Sequence, residues 1–475
     1  MDLRQTVKSY AKVQIVRQVM QLLPNFSLEN LIRLVSLGER LVDDHRFKQY
    51  ARGLREKFEQ RHPAVLLARD IIQRLSPNCR NKLIENLFIN AFLLGTDRRN
   101  KLRNREGYRP PLLFVISPTM RCNLHCPGCY AGEYQQDFGL SFETVDRILT
   151  EAKELGIYFV TVSGGEVFIR PDIIDLWGKH NDMYFQVYTN GTLIDQDMAK
   201  RLEKLGNVAP MISVEGFEKE TDARRGKGVY KKIMAAMDNL REHGVVFGAS
   251  ITETRENIEL IASDELVDML IEKGAMVIWY FQYIPIGRKP AVHLIPTPEQ
   301  RDGLRRRLRH LRSTKPIFIG DFWNDGPYVG GCIAAGREYF HINANGDVEP
   351  CVFAHFAVDN IKDKSLKDVL NSDFFKSIRK QQPYRENLLT PCMIIDKPKV
   401  LRKAVLDSGA HPTHPGAETI ITELADFLDN YSQQYHAIAD RVWETEYRKR
   451  TSTGEKDDEQ RQKVGETASV SYASV

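Results

Sequence analysis

The sequence predicts an α/β fold whose centre is a partial parallel barrel of six βα units. From Leu112 onward, short runs rich in β-branched and aromatic residues alternate with amphipathic helical stretches, the pattern typical of parallel βα units. Before Leu112 the apolar residues follow helical spacing, as in Val13, Val16 and Met20, which predicts a helical segment ahead of the barrel. After about Thr297 the alternation gives way to an arginine-rich helix and a region that contains three cysteines. We expect that region to form a small extension of the barrel.

Each predicted element occupies one short run. The expected strands are Leu112 to Pro118, Tyr158 to Val162, Phe185 to Tyr188, Pro210 to Val214, Val245 to Ile251 and Met276 to Ile284. The expected helices between them include Phe142 to Leu155, Gln196 to Leu205 and Tyr230 to His243. Asn345-Gly346-Asp347 follows Phe340-His341-Ile342 and precedes Val348, which predicts a hairpin. The chain is thus expected to divide into a basic helical segment (1–108), the barrel (109–296), the cysteine-containing extension (297–400), a helical segment (401–450) and a disordered polar tail (451–475).

Composition excludes several classes of protein. Hydrophobic residues make up 42% and charged residues 27% of the 475 residues, values of an ordinary globular protein rather than a disordered or multi-span membrane chain. The formal net charge is only +4, so no nucleic-acid partner is expected. No run approaches the roughly 20 apolar residues of a membrane span, and the N-terminus lacks the apolar core of a secretory signal. We therefore expect a cytoplasmic protein.

The positive charge is concentrated at one end of the sequence. The first 110 residues contain 22 Lys and Arg against 11 Asp and Glu, a local net charge of +11 that leaves −7 for the remaining 365 residues. Basic amphipathic helices can lie on anionic membrane surfaces, which would make the protein membrane-peripheral. The same helices can instead pack on the barrel and keep their arginines in solvent. Both interpretations stay open at this point.

Three closely spaced cysteines carry the strongest chemical signal. Cys122, Cys126 and Cys129 follow the first predicted strand in a C-x3-C-x2-C spacing. Three thiolates suit a four-iron four-sulfur cluster in which the fourth iron stays open for a substrate or cofactor. The alternative is a structural zinc site with His125 or another cysteine as the fourth ligand, although zinc sites more often use paired cysteine knuckles.

This motif, with Tyr130 directly after the last cysteine, resembles the signature of the radical S-adenosylmethionine (radical SAM) enzymes. Further motifs agree with the resemblance. Ser163-Gly164-Gly165-Glu166 ends the second predicted strand and is similar to the family's GGE motif, which implies contact with the amino group of the bound methionine moiety. Ligands of βα barrels collect at these carboxyl strand ends. The motif alone would also fit an ordinary strand-to-helix turn.

The next strand ends carry further residues that the resemblance assigns to SAM. Thr189 and Asn190 end the third strand, and Ser213 and Glu215 end the fourth, where the family more often has Asp. Arg225 belongs to an Arg-Gly pair suited to the SAM carboxylate, or to an exposed basic turn. By the same resemblance, Gln282 and the segment 285–287 would line the adenine or substrate side. No catalytic side chain is assigned.

Cys332, Cys351 and Cys392 form a second set, in an arrangement that resembles the SPASM or twitch extension of radical SAM enzymes. The resemblance implies auxiliary clusters, of which three cysteines support only one. Such a cluster would stay open at one iron or be completed by a non-cysteine ligand; the candidates are His355, Asp396 and His411. The alternative is that these are buried apolar cysteines. Cys79 is given no role, and His411 and His414 are not assigned to a separate metal site of their own.

The resemblance implies that the protein reductively cleaves SAM at its four-iron four-sulfur cluster, and that the resulting 5'-deoxyadenosyl radical abstracts hydrogen from a substrate. The cofactors supply this chemistry and the protein positions them. An external electron donor such as ferredoxin or flavodoxin is expected. The basic N-terminal segment suggests a lipid or phosphorylated substrate. A peptide-modifying maturase is the alternative within the family, and a non-catalytic iron–sulfur or zinc adaptor is the alternative outside it.

Overall fold

A computed structural model describes residues 62–135 and 139–448, together with Glu56, Glu59 and Gln60. The predicted tail (451–475) and the helical prediction for residues 1–61 fall outside this description, apart from those three residues. Within it, the predicted fold class is confirmed, because a mostly parallel sheet is flanked by helices.

One nine-stranded sheet forms the centre of the molecule. Its strands β1 to β8 are parallel, and β9 is antiparallel to β8. The spatial order is β7-β6-β5-β4-β3-β2-β1-β8-β9, so successive βα units lie side by side. The strands are β1 (Leu113–Ile116), β2 (Phe159–Val162), β3 (Tyr184–Thr189), β4 (Val208–Val214), β5 (Gly248–Glu253), β6 (Val277–Gln282), β7 (Phe318–Asp321), β8 (His341–Ile342) and β9 (Val348–Glu349). A separate antiparallel pair joins β10 (Phe356–Ala357) to β11 (His411–Pro412).

Helices connect these strands. The α-helices are α1 (Pro63–Arg74), α2 (Pro77–Lys82), α3 (Gly95–Glu106), α4 (Phe142–Glu154), α5 (Ile173–Lys179), α6 (Gln196–Leu205), α7 (Glu218–Arg225), α8 (Val229–Glu242), α9 (Asp264–Lys273), α10 (Pro298–Thr314), α11 (Gly326–Val329), α12 (Leu366–Leu370), α13 (Asp373–Arg379), α14 (Pro398–Ser408) and α15 (Ala425–Val442). A π-helix, Leu83–Leu94, joins α2 to α3, and a second, Trp443–Arg448, continues α15. Short 3-10 turns occupy Val167–Ile169, Leu260–Ala262, Val292–Leu294 and Ala417–Ile420.

Polar residues set the starts of several barrel helices. Ser141 accepts a hydrogen bond from the Thr144 amide at the start of α4, and Asp195 does the same for α6. Thr297 and Gln300 form a reciprocal capping box at the start of α10. These local signals explain why the predicted boundaries of α4 and α6 lie within one residue of those observed.

The parallel sheet is larger than the six predicted strands. Strand β7 pairs with β6, and β8 pairs with β1 through Val115 and His341. The predicted hairpin is present, but its first strand also adds to the barrel sheet. Four-residue and two-residue strands are too short to show a period in the sequence. The cysteine-containing extension is thus attached to the barrel by backbone pairing.

The two faces of the sheet have different environments. Residues such as Ile212, Ile251 and Ile278 lie on the face covered by the helices and are fully buried. We call the opposite face, which carries Ser213, the lumen face. The absence of a side chain at Gly320 leaves space for the Trp279 ring. A Cβ at Gly320 would lie 2.5 Å from that ring.

The N-terminal helices close the amino end of the barrel. The side chain of Asn86, on the π-helix Leu83–Leu94, is buried and donates hydrogen bonds of 2.8 Å to the carbonyls of Asn181 and Met183, just before β3. Arg99 of α3 is also buried and donates to the Gly156 carbonyl, before β2, at 2.6 Å. The described part of the basic segment therefore packs on the barrel, as one of the two interpretations expected. In the described parts of the chain, every helix is too short or too polar to span a membrane.

Replacing Asn86 with Ala should remove one hydrogen bond to the Asn181 carbonyl and one to the buried Met183 carbonyl. We expect the free energy of unfolding to fall by about 1–3 kcal/mol, measured as a shift of the urea midpoint. Asn104→Ala, at an exposed position of α3, is the matched control and should leave the midpoint unchanged. Equal midpoints for the two variants would contradict the role of Asn86 at the barrel base.

Candidate active site

Cys122, Cys126 and Cys129 lie on the loop that leaves the carboxyl end of β1. Their side chains are partly exposed. Burial raises the pKa of Cys122 and of Cys129, and the charge of the Cys126 thiolate raises both further. The three thiols therefore interact electrostatically, and binding of a cationic cluster would relieve their repulsion.

The turn after β2 holds this loop by backbone contacts. The Gly165 amide donates to the Thr119 carbonyl at 3.0 Å, and the Glu166 amide donates to the Arg121 carbonyl at 2.8 Å. A Cβ on Gly165 would lie 2.1 Å from the Arg121 carbonyl oxygen. Gly164 has a φ of +120°, and a Cβ there would be similarly close to the Thr119 carbonyl oxygen. The two glycines of the motif are therefore required by the close approach of two loops.

Glu166 connects this turn to the end of β3. Its buried carboxylate accepts hydrogen bonds from the Thr189 hydroxyl at 2.8 and 2.9 Å, from the Asn190 amide at 2.8 Å and from the Phe168 amide at 3.2 Å. Burial raises the pKa of Glu166, and these hydrogen bonds oppose the rise. The Glu166 carboxylate and the Thr189 hydroxyl thus bind each other, and direct contact of either with SAM stays a prediction.

Asn190 extends the same arrangement to the cysteine loop. Its side-chain nitrogen lies 2.8 Å from the Asn123 side-chain oxygen and 3.9 Å from the Cys122 sulfur. Its side-chain oxygen accepts from the Thr192 amide at 2.9 Å, which fixes the orientation of the group. Asn190 is therefore placed as a donor to a cysteine sulfur.

The acidic residue after β4 is paired differently from the expectation. Glu215 is buried, and its Oε1 accepts hydrogen bonds from Nε and Nη2 of Arg225, at 3.0 and 2.5 Å. Nη1 of Arg224 lies 2.8 Å from the same oxygen. Burial alone would lower the pKa of Arg225, but Glu215 and the charges of Cys126 and Cys129 together raise it. Nη1 is the guanidinium nitrogen of Arg225 that does not donate to Glu215. The contact with the SAM carboxylate that the resemblance implies would therefore use that nitrogen.

The pairing leaves one atom of Glu215 available. Its Oε2 is buried and has no hydrogen-bond partner among the described residues. Ser213, two residues earlier on the lumen face, is half-buried. A buried carboxylate oxygen beside a half-exposed hydroxyl is a suitable acceptor for ligand hydroxyls, as the resemblance implies for the SAM ribose.

The loop after β6 packs against the cysteine loop. Arg288 exchanges backbone hydrogen bonds with Gly128 and Cys129, at 3.1 and 2.9 Å, and a Cβ on Gly287 would lie 2.3 Å from the Cys129 carbonyl oxygen. The segment 285–287 therefore borders the site. Gln282 does not: it lies on the helix-covered face and donates to the Tyr431 hydroxyl at 3.0 Å, which corrects its expected place beside adenine or substrate.

Cys332, Cys351 and Cys392 form the second group of thiols. Burial raises the pKa of Cys351 to about 12 and the pKa of Cys392 well above its usual range, and the Cys332 charge raises both further. The Tyr339 hydroxyl donates to the Cys351 sulfur at 2.7 Å, and the Ile394 amide donates to the Cys392 sulfur at 3.3 Å. Thiols with nearby donors are a set suited to a cluster.

The non-cysteine ligands proposed for this group have other partners. Asp396 forms a fully buried ion pair with Arg301, at 2.6 Å, and also accepts from the Cys392 amide at 2.9 Å. One nitrogen of His355 lies 2.6 Å from His414 and the other 2.9 Å from a backbone carbonyl. The side chain of His411 is 57% exposed. Asp396 and His355 are thus engaged in other contacts, and which residues hold an auxiliary cluster stays a prediction.

A buried network between the two cysteine groups was missed by sequence reasoning. The Glu349 carboxylate accepts hydrogen bonds from Tyr134 of the first cysteine loop at 2.6 Å and from His341 at 2.6 Å, and His341 contacts Ser117 at 2.8 Å. Burial alone would raise the pKa of Glu349, but His341 and the other donors lower it to about 2. Two further donors are Thr413 and Asn343. Residues so distant in sequence carry no common motif that would have revealed this network.

Aromatic contacts provide a second link. The Tyr130 hydroxyl is hydrogen-bonded to Ser163 of the GGE turn. The Tyr130 ring meets that of Phe353 at a centroid distance of 5.5 Å, edge to face. Since Tyr130 follows Cys129 and Phe353 lies two residues after Cys351, this contact joins the two cysteine loops.

Comparison with known proteins agrees with this geometry. Residues 116–259 match the radical SAM superfamily, and residues 332–393 match the SPASM iron–sulfur cluster-binding domain. The first match covers most of the barrel, and the second covers the cysteine-containing extension. These two domains imply an enzyme that uses a four-iron four-sulfur cluster, SAM and auxiliary iron–sulfur clusters.

Similar proteins cover the barrel and the extension. PqqA peptide cyclase of Gluconobacter oxydans is 26% identical over 57% of this chain and 79% of its own length. Mycofactocin maturase MftC of Mycobacterium tuberculosis is 29% identical over 58% and 75%. Fe-coproporphyrin III synthase of Methanosarcina barkeri is 29% identical over 45% of this chain, and the match spans only 57% of that protein. The crystal structure of Streptococcus suis SuiB shares the fold, with a TM-score of 0.51, 21% identity and coverage of 60% and 71%.

The side chains of this site fit the iron–sulfur clusters and the SAM molecule that the two domains imply. Each cysteine set provides three thiols, and donors approach sulfurs of both sets, through Asn190 and through Tyr339. The unpartnered Oε2 of Glu215 provides an acceptor for SAM. Within the described residues, no three His, Cys, Asp or Glu side chains are grouped to hold a single metal ion. The clusters are thus implied by the two domains and by the chemistry of their sulfur donors. The ligand role of each residue stays a prediction.

Gly165→Ala should move the cysteine loop, because the added Cβ meets backbone atoms that cannot rotate away. We expect the variant, after anaerobic reconstitution, to contain roughly four fewer irons per chain while its circular dichroism stays native. Gly303→Ala, in α10 where nothing lies within 4 Å of the added Cβ, is the control. Full iron content in the Gly165 variant would contradict the role assigned to the turn.

Proposed function

We propose that this protein is a radical SAM enzyme that cleaves SAM reductively and abstracts hydrogen from a peptide substrate. The observation that carries the proposal is the meeting of three strand ends at one cysteine loop. The turn after β2 and Asn190 after β3 contact the loop that holds Cys122. Arg224, which pairs with Glu215 after β4, donates to the Pro127 carbonyl of the same loop at 3.5 Å. Parallel strands bring their carboxyl ends to one edge, where ligands bind.

The protein's own groups bind and orient the cofactors. When bound, a four-iron four-sulfur cluster and SAM supply the electron and the 5'-deoxyadenosyl radical. Cys122, Cys126 and Cys129 would hold the cluster through their sulfurs, and Asn190 would donate to one of them. Backbone groups of the GGE turn and Oε2 of Glu215 would orient SAM.

Two features support a peptide substrate over a lipid or phosphorylated one. Two relatives that match over three quarters of their own length are named for peptide cyclisation or maturation. Strands β1 to β7 contain only two ionisable residues of the Asp, Glu, His, Lys and Arg types, Glu253 and Asp321, and both lie on the helix-covered face. The strands therefore offer no cation to a phosphate inside the lumen.

The auxiliary cluster would be held by Cys332, Cys351 and Cys392. The contact between Tyr130 and Phe353 would hold the two cysteine loops against each other. An external electron donor such as ferredoxin or flavodoxin would supply the reducing electron.

Cys126→Ala should abolish SAM cleavage, because the cluster loses one of its three ligands. The measurement is chromatographic detection of 5'-deoxyadenosine after anaerobic reconstitution and addition of SAM and a strong reductant. Cys79→Ala removes a thiol buried at the barrel base, far from both cysteine sets, and should retain cleavage. Equal cleavage by the Cys126 variant and the wild type would refute the cluster assignment, and no cleavage by an iron-replete wild type would favour the adaptor.

Cys351→Ala should spare SAM cleavage but lower the iron and sulfide content by one cluster, because only the auxiliary site loses a ligand. Iron content and the electron paramagnetic resonance spectrum of the reduced protein are the measurements. Unchanged iron would show that the second cysteine set holds no cluster.

A further inference from the structure

A wall of aromatic side chains lines the lumen face of the barrel. The register pairs Ser213 with Ser250 and Ser250 with Trp279, which places all three on that face, and Phe281 follows two residues later on β6. Tyr188 on β3 lies on the same face, since Tyr188 pairs with Met211. The wall is thus built from strands on both sides of β4 and β5. We define the aromatic wall by four side chains: Tyr188, Trp279, Phe281 and Phe322.

Contacts between these rings form one continuous surface. The ring of Phe281 lies 5.5 Å from Tyr188, 6.2 Å from Trp279 and 5.4 Å from Phe322, measured between centroids. Gln186 connects two of its members, accepting from the Trp279 indole at 3.2 Å and donating to the Tyr188 hydroxyl at 3.0 Å. The amide of Gln186 is thus satisfied within the wall.

The aromatic wall leads to the first cysteine loop. Phe322 contacts Trp323 at 5.2 Å, Trp323 contacts Phe353 at 5.2 Å, and Phe353 contacts Tyr130, the residue after Cys129. A group held on the wall would therefore lie on the lumen side of the site at which the proposed radical forms.

The wall is not a filled core. All four of its side chains are half-buried, whereas Ile212, Ile251 and Ile278, on the other face of the same strands, are fully buried. Large aromatic residues left partly uncovered on a concave surface are typical of ligand sites. Because the lumen face of β1 to β7 has no charged residue, it complements an uncharged group, and ring edges and faces favour another ring.

We propose that the aromatic wall is the substrate subsite, and that it binds an uncharged aromatic side chain of the substrate peptide beside the SAM site. This inference rests on the proposed function for its peptide substrate. It adds the chemical class of the side chain that enters the barrel. Aliphatic and charged side chains would bind more weakly, because neither provides ring contacts and a charge would lose its hydration without a partner.

The test measures binding of small probes to the reconstituted full-length protein with SAM present and no reductant. The probes are N-acetyl-L-phenylalaninamide, N-acetyl-L-leucinamide and N-acetyl-L-lysinamide, titrated by saturation-transfer difference NMR. We expect the phenylalanine probe to bind at least about fivefold more tightly than the leucine probe, a difference of roughly 1 kcal/mol, and the lysine probe to give no saturable signal. Equal affinity for the three probes would overturn the proposal.

Substitutions test whether the phenylalanine probe binds at the aromatic wall. Phe281→Leu keeps an apolar side chain and should weaken the phenylalanine probe at least about fivefold, while Phe88→Ala, at an exposed phenylalanine of the barrel base, should not change it. Tyr188→Leu provides a second variant in case the first is unstable. Unchanged affinity in a folded wall variant would overturn the assignment.

The readout separates this inference from the function on which it rests. Probe binding needs no SAM cleavage, so Cys126→Ala should bind the phenylalanine probe while producing no 5'-deoxyadenosine. Normal SAM cleavage by the wild type without preference for the aromatic probe would refute the subsite alone. Absence of SAM cleavage with retained aromatic preference would refute the radical function and leave the aromatic site.

Discussion

The site depends on one close contact between backbones. Neighbouring parallel strands β1 and β2 end at the same edge, and the turn after β2 lies directly against the cysteine loop after β1. Side chains at Gly164 or Gly165 would collide with carbonyl groups of that loop. Because both glycines lack a Cβ, two backbone hydrogen bonds form there instead. Two motifs about 40 residues apart in the sequence are thus one structural unit.

The cysteine-containing extension is bound to the same unit by a buried charge. Glu349 lies beside β8, which pairs with β1, and its carboxylate accepts hydrogen bonds from Tyr134 and His341. Removing a carboxylate from water costs several kcal/mol, so such a group is stable only when donors surround it. The donors come from both cysteine-bearing regions and from the loop at Thr413. Any shift between these regions would leave the charge without partners, which restricts their relative motion.

The sequence predicts those parts of the molecule that have a local signal. Strands β3 to β6 have six or seven residues, long enough for a visible pattern, and helices such as α6 begin at a capping residue, Asp195. The cysteine spacing and the GGE motif are also local, because each binds through a few successive residues. By contrast, β8 has only two residues, and its pairing with β1 spans more than 200 positions.

Pairing between side chains also explains why parts of the site could not be predicted. Arg225 pairs with Glu215, only ten residues earlier, and the family motifs do not specify this pair. The fourth-ligand candidates were chosen by residue type, but Asp396 is bound by Arg301, about 95 residues away. Gln282 was assigned by its place at a strand end, yet the alternation of strand β6 turns it to the helix-covered face. Residue type and position along a strand are visible in a sequence, whereas competing partners are not.

The two ends of the barrel have separate roles, and this bears on the substrate. The N-terminal helices from Pro63 onward close the amino ends of the strands, through contacts such as those of Asn86 and Arg99. The first cysteine loop and the residues that border it lie toward the carboxyl ends. A seven-residue strand such as β4 separates these ends by roughly 20 Å. A membrane surface held by the basic described helices would face the closed end, so a lipid would have to travel around the barrel to reach the site. A peptide can approach the open end directly, where the lumen carries rings and no charge.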